Sequence, residues 1–152
     1  MSAHTFDTSL GWTGSTGDGY DAYSREHQVE MAGSLVRASS AAAFLGDAGL
    51  PNPEQLLVAA ASSCQLLSFL AVAARARLDV IDYRDEASGS MSEANRPMWV
   101  ERIVLRPRIT LAGEPSRVKV ERLIDVAHRE CFIAASLRSQ IVIEPVLFGV
   151  AD

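Results

Sequence analysis

A run of twenty residues without a charged side chain, from Gln55 to Ala74, constrains the fold of this 152-residue chain more than any other feature. The residues before it are typical of a helix start: Asn52 as N-cap, Pro53 as first helical residue and Glu54 as first-turn carboxylate. The sequence therefore predicts a central helix over residues 52–77. A helix that is apolar all round must be buried on most sides, and a domain of this size needs a second subunit to help cover it.

Twenty apolar residues are also enough to cross a membrane. This run lacks an aromatic belt, and polar side chains interrupt it at Gln55, Ser62, Ser63, Gln65 and Ser68. These features favour a buried helix over a membrane span. Residues 1–12 contain neither the basic region nor the apolar run of a signal peptide, so we expect a cytoplasmic protein.

The composition excludes one class of partner and predicts one domain. The net charge is −5 and the isoelectric point about 5.2, so no basic excess is available to neutralise the phosphates of a nucleic acid. A chain of this length typically forms a single domain, which we expect to cover residues 1–152. In the cytoplasm its two cysteines are expected to be reduced.

The order of the remaining elements predicts an α+β fold with antiparallel sheets. Alternating apolar residues and turn-forming segments predict early strands within residues 4–38, strands within 79–111, a second helix at 116–130 and a last strand at 140–147. The two later strands are expected at 79–91 and 99–111, with Pro107 marking an edge or bulge. Strands grouped before and between two helices are typical of the α+β class.

Cys64, in the middle of the predicted central helix, is either a small buried apolar residue or a nucleophile. A nucleophile must be a thiolate, and burial alone would raise the thiol pKa. The helix dipole does not help at a mid-helix position, so a reactive Cys64 requires a nearby cation. Arg25 and Arg37 are the candidates, because the arginines at 75 and 77 lie about three turns along the same helix.

Glu54 and Cys131 complete the residues that can carry chemistry. Glu54 lies about 15 Å from Cys64 along the helix, so the two can serve one site only through a bridging arginine or from different subunits. Its simpler role is to stabilise the helix N-terminus. Cys131 ends an apolar stripe on the second helix and is either a core residue or a second thiol. A zinc site of Cys64, His128 and Cys131 is disfavoured because the ligand spacing of zinc fingers is absent.

Two segments, PNPEQLLVAAASSCQLLSFLAVAARA and AHRECFIAASL, resemble the OsmC/Ohr family of bacterial hydroperoxide reductases. The resemblance extends over about residues 5–147. It implies an OsmC-like fold with sheets wrapped around the central helix, and an intertwined homodimer. It also implies Cys64 as peroxidatic and Cys131 as resolving cysteine, an arginine that stabilises the thiolate, and Glu54 holding that arginine. No metal or bound cofactor is implied, and the reductant is an external dithiol such as a lipoyl protein.

The sequence departs from the family pattern at three positions. Phe44 occupies the place where OsmC-like members have the arginine, which leaves Arg25, as in Ohr-like members, as the nearest match. Gln65 follows the first cysteine where an aromatic residue or histidine is common, and Phe132 follows the second cysteine where proline is common. Two functions therefore stay open: a peroxidase for organic hydroperoxides, and a dimeric stress or small-molecule binding protein with weak or no peroxidase activity.

Overall fold

The computed structural model describes residues 2–152, and these form three α-helices and nine β-strands. The helices are α1 (Pro53–Arg75), α2 (Arg117–Glu130) and α3 (Phe132–Ser136). The strands are β1 (Thr8–Gly11), β2 (His27–Met31), β3 (Ser34–Ala38), β4 (Asp79–Asp85), β5 (Ser88–Met91), β6 (Val100–Leu105), β7 (Pro107–Ala112), β8 (Gln140–Ile143) and β9 (Val146–Phe148). Helices and strands are mixed along the chain, so the predicted α+β class is confirmed.

The chain divides into two compact units, one ending at Leu56 and the other running from Leu57 to Asp152. A single domain over residues 1–152 stays a prediction. The first unit contains an antiparallel sheet in the order β1-β2-β3, in which β2 and β3 form a tight hairpin with Met31 opposite Ser34. Ala32 and Gly33 both have positive φ in that turn, as two-residue hairpin loops require.

The start of α1 confirms the N-terminal signal in the sequence. Asn52 Oδ1 accepts a hydrogen bond from Gln55 N–H at 2.8 Å, and Gln55 Oε1 accepts one from Asn52 N–H at 3.0 Å. This reciprocal pair is a capping box, which satisfies two backbone donors that the first turn leaves free.

The second unit contains two three-stranded sheets, in the orders β4-β7-β9 and β5-β6-β8. Two segments that were each predicted as one strand form two strands instead. These segments are residues 99–111 and residues 140–147, and in each of them the two strands belong to different sheets. The chain changes sheet at Arg106, whose N–H donates to Asp85 Oδ1 at 2.6 Å, and Pro107 then begins β7 without a donor of its own.

The expectation of antiparallel sheets holds for four of the six strand pairs. Strands β8 and β9 pair in parallel with β6 and β7. Parallel neighbours need a long crossover, and the segment containing α2 and α3 provides it. Similarly, residues 79–91 form two strands, β4 and β5, which belong to different sheets.

Helix α1 buries one stripe and exposes the opposite one within the second unit. Its buried stripe comprises Ala61, Gln65, Phe69, Val72 and Ala73. Phe69 and Val72 pack in a core with the apolar stripe of α2 and with β7, while Ala61 packs against β6 in a second cluster. The opposite side exposes apolar residues, among them Leu67, which is 64% exposed. By length and composition α1 could also cross a membrane, with a mean hydropathy of 2.0 and 33% of that stretch buried.

Candidate active site

The two cysteines meet in the second unit although they are far apart in sequence. Cys64 lies half-buried in the middle of α1, one residue before the buried Gln65. Cys131 is 2% exposed and lies at the junction of two helices, as C-cap of α2 and N-cap of α3. Both thiols are free, and they lie close enough for each to influence the pKa of the other. The structure therefore brings together the two residues that the sequence predicted as a thiol pair.

The short helix α3 binds both sulfurs through adjacent backbone amides. Ile133 N–H donates to Cys64 Sγ at 3.5 Å, and Ala134 N–H donates to Cys131 Sγ at 3.4 Å. The first amides of a helix have no partner within it and are free to donate elsewhere. Helix α3 was absent from the predicted elements, so these donors were missed. The turn of α2 into α3 at Cys131 is what aims them at the sulfurs.

The two thiols have opposite pKa shifts. Burial raises the pKa of Cys64, but hydrogen bonds from Cys131, from the amides of Ile133 and Phe132, and from the Ser68 hydroxyl outweigh it, so the pKa is lowered. Burial also raises the pKa of Cys131, and its hydrogen bond to Cys64 raises it further. Cys64 therefore ionises more readily than Cys131, which is the thiol of the pair that keeps its proton to higher pH.

Hydrogen-bond donors, rather than a cation, lower the pKa of Cys64 in this structure. From the sequence we expected a cation near Cys64, because burial raises the pKa of a thiol and the helix dipole does not lower it at a mid-helix position. Ser68 was detectable from the sequence, since a residue four positions after Cys64 shares its helix face. The amide of Phe132 could also have been expected as a donor from the sequence. Proline is common at that position in the family and has no N–H to donate, whereas phenylalanine has one.

Arg25 belongs to the first unit, where carbonyl oxygens and aromatic rings hold its guanidinium. It donates to Tyr23 O at 2.7 Å and to Tyr20 O at 2.5 Å, and it lies 4.0 Å from the ring centre of Tyr23 and 4.9 Å from that of Tyr20. Within residues 2–152 no carboxylate forms an ion pair with it. Arg25 also lines a mainly apolar cavity of about 400 Å³, together with Leu10 and Trp12 among others.

Arg37 and Glu54 lie in the same unit as Arg25 but do not contact it through an ion pair. Arg37 pairs instead with Glu26 at 2.6 Å on an exposed surface. Glu54 is half-buried, and its Oε2 atom has no hydrogen-bond partner among the residues that the structure describes. The roles of Arg25 in stabilising the thiolate and of Glu54 in holding the arginine stay predictions.

The histidines and acidic residues do not assemble with the thiols into a metal site. Across residues 2–152, no three His, Cys, Asp or Glu side chains are close enough together to hold a metal ion. The arrangement suits chemistry of the sulfur atoms themselves: a nucleophilic thiolate next to a second thiol that can form a disulfide with it.

Comparison with known proteins gives one family and a consistent fold. Residues 46–146 match the model of the OsmC-like protein family. The chain is 30% identical to an OsmC-like protein of unknown function, VCA0330 of Vibrio cholerae, with a TM-score of 0.86 over 95% of this chain and 100% of that one. It is 21% identical to the uncharacterised protein YmaD of Bacillus subtilis over 95% of this chain and 93% of YmaD. An organic hydroperoxide resistance protein of Legionella pneumophila has the same fold, at 17% identity and a TM-score of 0.66 over 97% and 99% of the two chains.

Replacing Phe132 by proline tests the contribution of its amide to the thiolate. Proline suits the first position of a helix, and the preceding Cys131 already has the extended backbone that proline requires, with φ −73° and ψ 112°. Phe132→Pro should therefore keep α3 but remove one donor, raise the pKa of Cys64 and slow its alkylation by iodoacetamide at pH 7 about fivefold. The rates should converge at alkaline pH, where both proteins are fully ionised.

The matched control is Phe132→Ala, which keeps the amide and removes only a side chain that is 83% exposed. Its Cys64 should react as in the unchanged protein. Peptide mass spectrometry separates alkylation of Cys64 from that of Cys131. Equal rates in the proline and alanine variants would contradict the assigned donor.

Proposed function

The chain belongs to the OsmC-like protein family, and on this premise we propose that it is a thiol-dependent peroxidase that reduces organic hydroperoxides to alcohols. The family includes proteins named for organic hydroperoxide resistance, such as the Legionella pneumophila relative. The observation that carries the proposal is the thiol pair: adjacent amides of α3 bind the sulfurs of Cys64 and Cys131, both thiols are free, and the pKa of Cys64 is lowered. A nucleophile and a resolving thiol are the two groups that such a reaction needs.

The reaction begins at the Cys64 thiolate, which attacks the terminal oxygen of the hydroperoxide. The O–O bond breaks, the alkoxide takes up a proton and leaves as the alcohol, and Cys64 becomes a sulfenic acid. The Cys131 sulfur then attacks the Cys64 sulfur, so that an S–S bond forms and the hydroxyl leaves with the Cys131 proton as water. The adjacent amides of Ile133 and Ala134, which each bind one of the two sulfurs, hold the thiols near each other and support this second step.

A dithiol is the reductant that completes the cycle in this proposal. Thiol–disulfide exchange returns Cys64 and Cys131 to thiols and converts the external dithiol into its own disulfide. A protein-bound lipoyl group has this chemistry, and the chain itself needs no bound cofactor for the reaction. We place the protein in the cytoplasm, where such dithiols are kept reduced.

The preference for organic peroxides over hydrogen peroxide rests on exposed apolar groups near the sulfur. Leu67 is on the same face of α1 as Cys64, three residues later, and Phe132 follows Cys131. Such surfaces bind the hydrocarbon part of an organic peroxide and give hydrogen peroxide nothing to bind.

Substitution of each cysteine separates the two chemical steps. We expect Cys64→Ser to abolish oxidation by cumene hydroperoxide in stopped-flow measurements, because the serine hydroxyl is not ionised at neutral pH. Cys131→Ser should still be oxidised once, and should accumulate a sulfenic acid that dimedone traps, without an intramolecular disulfide. The unchanged protein should consume cumene hydroperoxide faster than hydrogen peroxide.

Equal oxidation rates for the unchanged protein and Cys64→Ser would refute the assigned nucleophile. Two thiols that resist both peroxides would instead favour the second function, a dimeric binding protein. The observation that supports this alternative is that no cation is among the groups that lower the pKa of Cys64.

Arg25 is the cation that we propose to act on the thiolate in addition to these hydrogen-bond donors, with Glu54 holding it in place. Its positive charge is not neutralised by an ion pair among the described side chains, whereas Arg37 is paired with Glu26. A cation close to a thiolate lowers its pKa by about 1–3 units. Arg25→Met should therefore slow oxidation of Cys64 at pH 7 about tenfold or more, and Glu54→Gln should act in the same direction but more weakly.

Arg37→Met is the matched control, because it removes another arginine of the first unit, whose exposed ion pair contributes little to stability. Its oxidation rate should stay within about twofold of the unchanged protein. A loss in Arg37→Met with normal rates in Arg25→Met would transfer the role to Arg37.

A homodimer is the assembly that we propose from the exposed face of α1. Leu67 and Leu70 are exposed on a helix that carries no charge between Gln55 and Ala74. Contiguous apolar surface of this kind usually marks an interface. Sedimentation of the full chain should give twice the chain mass, and Leu67→Glu should shift it to monomers. Ile81→Glu, at an apolar residue of β4 that is equally exposed (62%), should remain dimeric; monomers of the unchanged chain would refute the dimer.

A further inference from the structure

A second cavity, of about 250 Å³, lies within the second unit beside the segment that carries Cys131. It is bounded by the end of α2, by α3 and by the segment leading into β8. The residues that line it are His128, Arg129, Ala134, Ala135, Ser139 and Ile141. Neither thiol is needed to form it, and the reaction proposed above does not use its polar side chains.

The environment of His128 determines which ring nitrogen can serve a ligand. Its Nδ1 atom is buried and has no hydrogen-bond partner among residues 2–152. A buried N–H without an acceptor is costlier than a buried lone pair without a donor, so the neutral ring keeps its proton on Nε2. The ring therefore offers one N–H donor, at Nε2, to the cavity that it lines.

The other two polar side chains have complementary properties. Arg129 is exposed and forms no ion pair with a carboxylate in the described part of the chain, so its charge and its donors are available. Ser139 donates its hydroxyl proton to Val100 O at 2.5 Å, which leaves only oxygen lone pairs for a ligand. The cavity thus offers a cation, a neutral donor and one acceptor, with alanine and isoleucine side chains around them.

We propose that this cavity binds a short-chain carboxylate. The carboxylate accepts from the Arg129 guanidinium and from His128 Nε2–H, and its carbon chain contacts Ala134, Ala135 and Ile141. A hydroxyl on that chain can donate to Ser139. A volume of 250 Å³ corresponds to roughly eight water-sized groups, which limits the ligand to a small molecule.

The location links this site to the thiols. Ala134 both lines the cavity and donates its N–H to Cys131 Sγ, and His128 O accepts from Cys131 N–H at 3.3 Å. A ligand in the cavity therefore contacts the residues on either side of Cys131. The site itself does not depend on the peroxidase proposal, because it is defined by side chains that the thiol reaction does not use.

Titration of the ¹⁵N-labelled full chain with sodium lactate tests the proposal, at constant ionic strength to keep screening unchanged. Lactate is the probe because it combines a carboxylate with a hydroxyl. The amide signals of Ala134, Ala135 and Ser139 should shift and saturate at roughly millimolar lactate, as expected for so small a ligand. Arg129→Gln should weaken binding about tenfold or more, since a charge-assisted hydrogen bond is lost.

The matched control is Arg122→Gln, which removes an exposed arginine of α2 that does not line the cavity. It should change lactate binding less than about twofold. The proposal is overturned if no saturable shift occurs at these amides up to about 50 mM lactate, or if the two arginine variants bind equally well. Saturation by inorganic phosphate but not by lactate would overturn the assignment to carboxylates.

Discussion

The rest of the site depends on two hydrogen bonds from neighbouring amides of α3, one to Cys64 Sγ and the other to Cys131 Sγ. Because adjacent amides of one helix turn are close together, the sulfurs that they bind are held close as well. The two thiols also differ in pKa. Burial raises the pKa of Cys64, but the hydrogen bonds that it accepts outweigh this effect and lower it, whereas the pKa of Cys131 is raised. The pair is thereby divided into one thiol that ionises readily and one that keeps its proton.

This arrangement requires that α1 and α2 hold their positions, and the core shows how they do so. Phe69 and Val72 of α1 pack with Val120 and Ile124 of α2, so the two helices that carry the cysteines share one apolar cluster. Gln65, next to Cys64 and 1% exposed, reaches the carbonyl of Ile124 at 3.5 Å. Close packing transmits small displacements, which makes the thiol contact sensitive to changes in this core.

Features that depend on spacing within one helix were predicted correctly from the sequence. The number of strands and their assignment to sheets, which depend on pairing between distant segments, were not. The N-cap at Asn52 and the apolar stripe that ends at Cys131 follow from residue type and spacing along a helix, and the structure confirms both. The strands at 99–111 and 140–147 were each taken as one, because alternation continues through Pro107 and the choice of sheet is made by distant partners. The amide donors of α3 were not expected at Cys64, because a helix of five residues is too short to show a periodic sequence pattern.

By itself, the sequence determined a long uncharged helix with a cysteine at its middle, a second cysteine at the end of another helix, and through these the family. These features depend on residue type and spacing within single elements. Only the tertiary structure decided that one short helix binds both sulfurs, that amides and a serine hydroxyl lower the pKa of Cys64, and that a cavity with polar side chains in its lining lies beside that helix. The reason is physical: every residue except proline has a backbone N–H, so the amino-acid sequence does not show which of these donors the folded chain will direct at a sulfur atom.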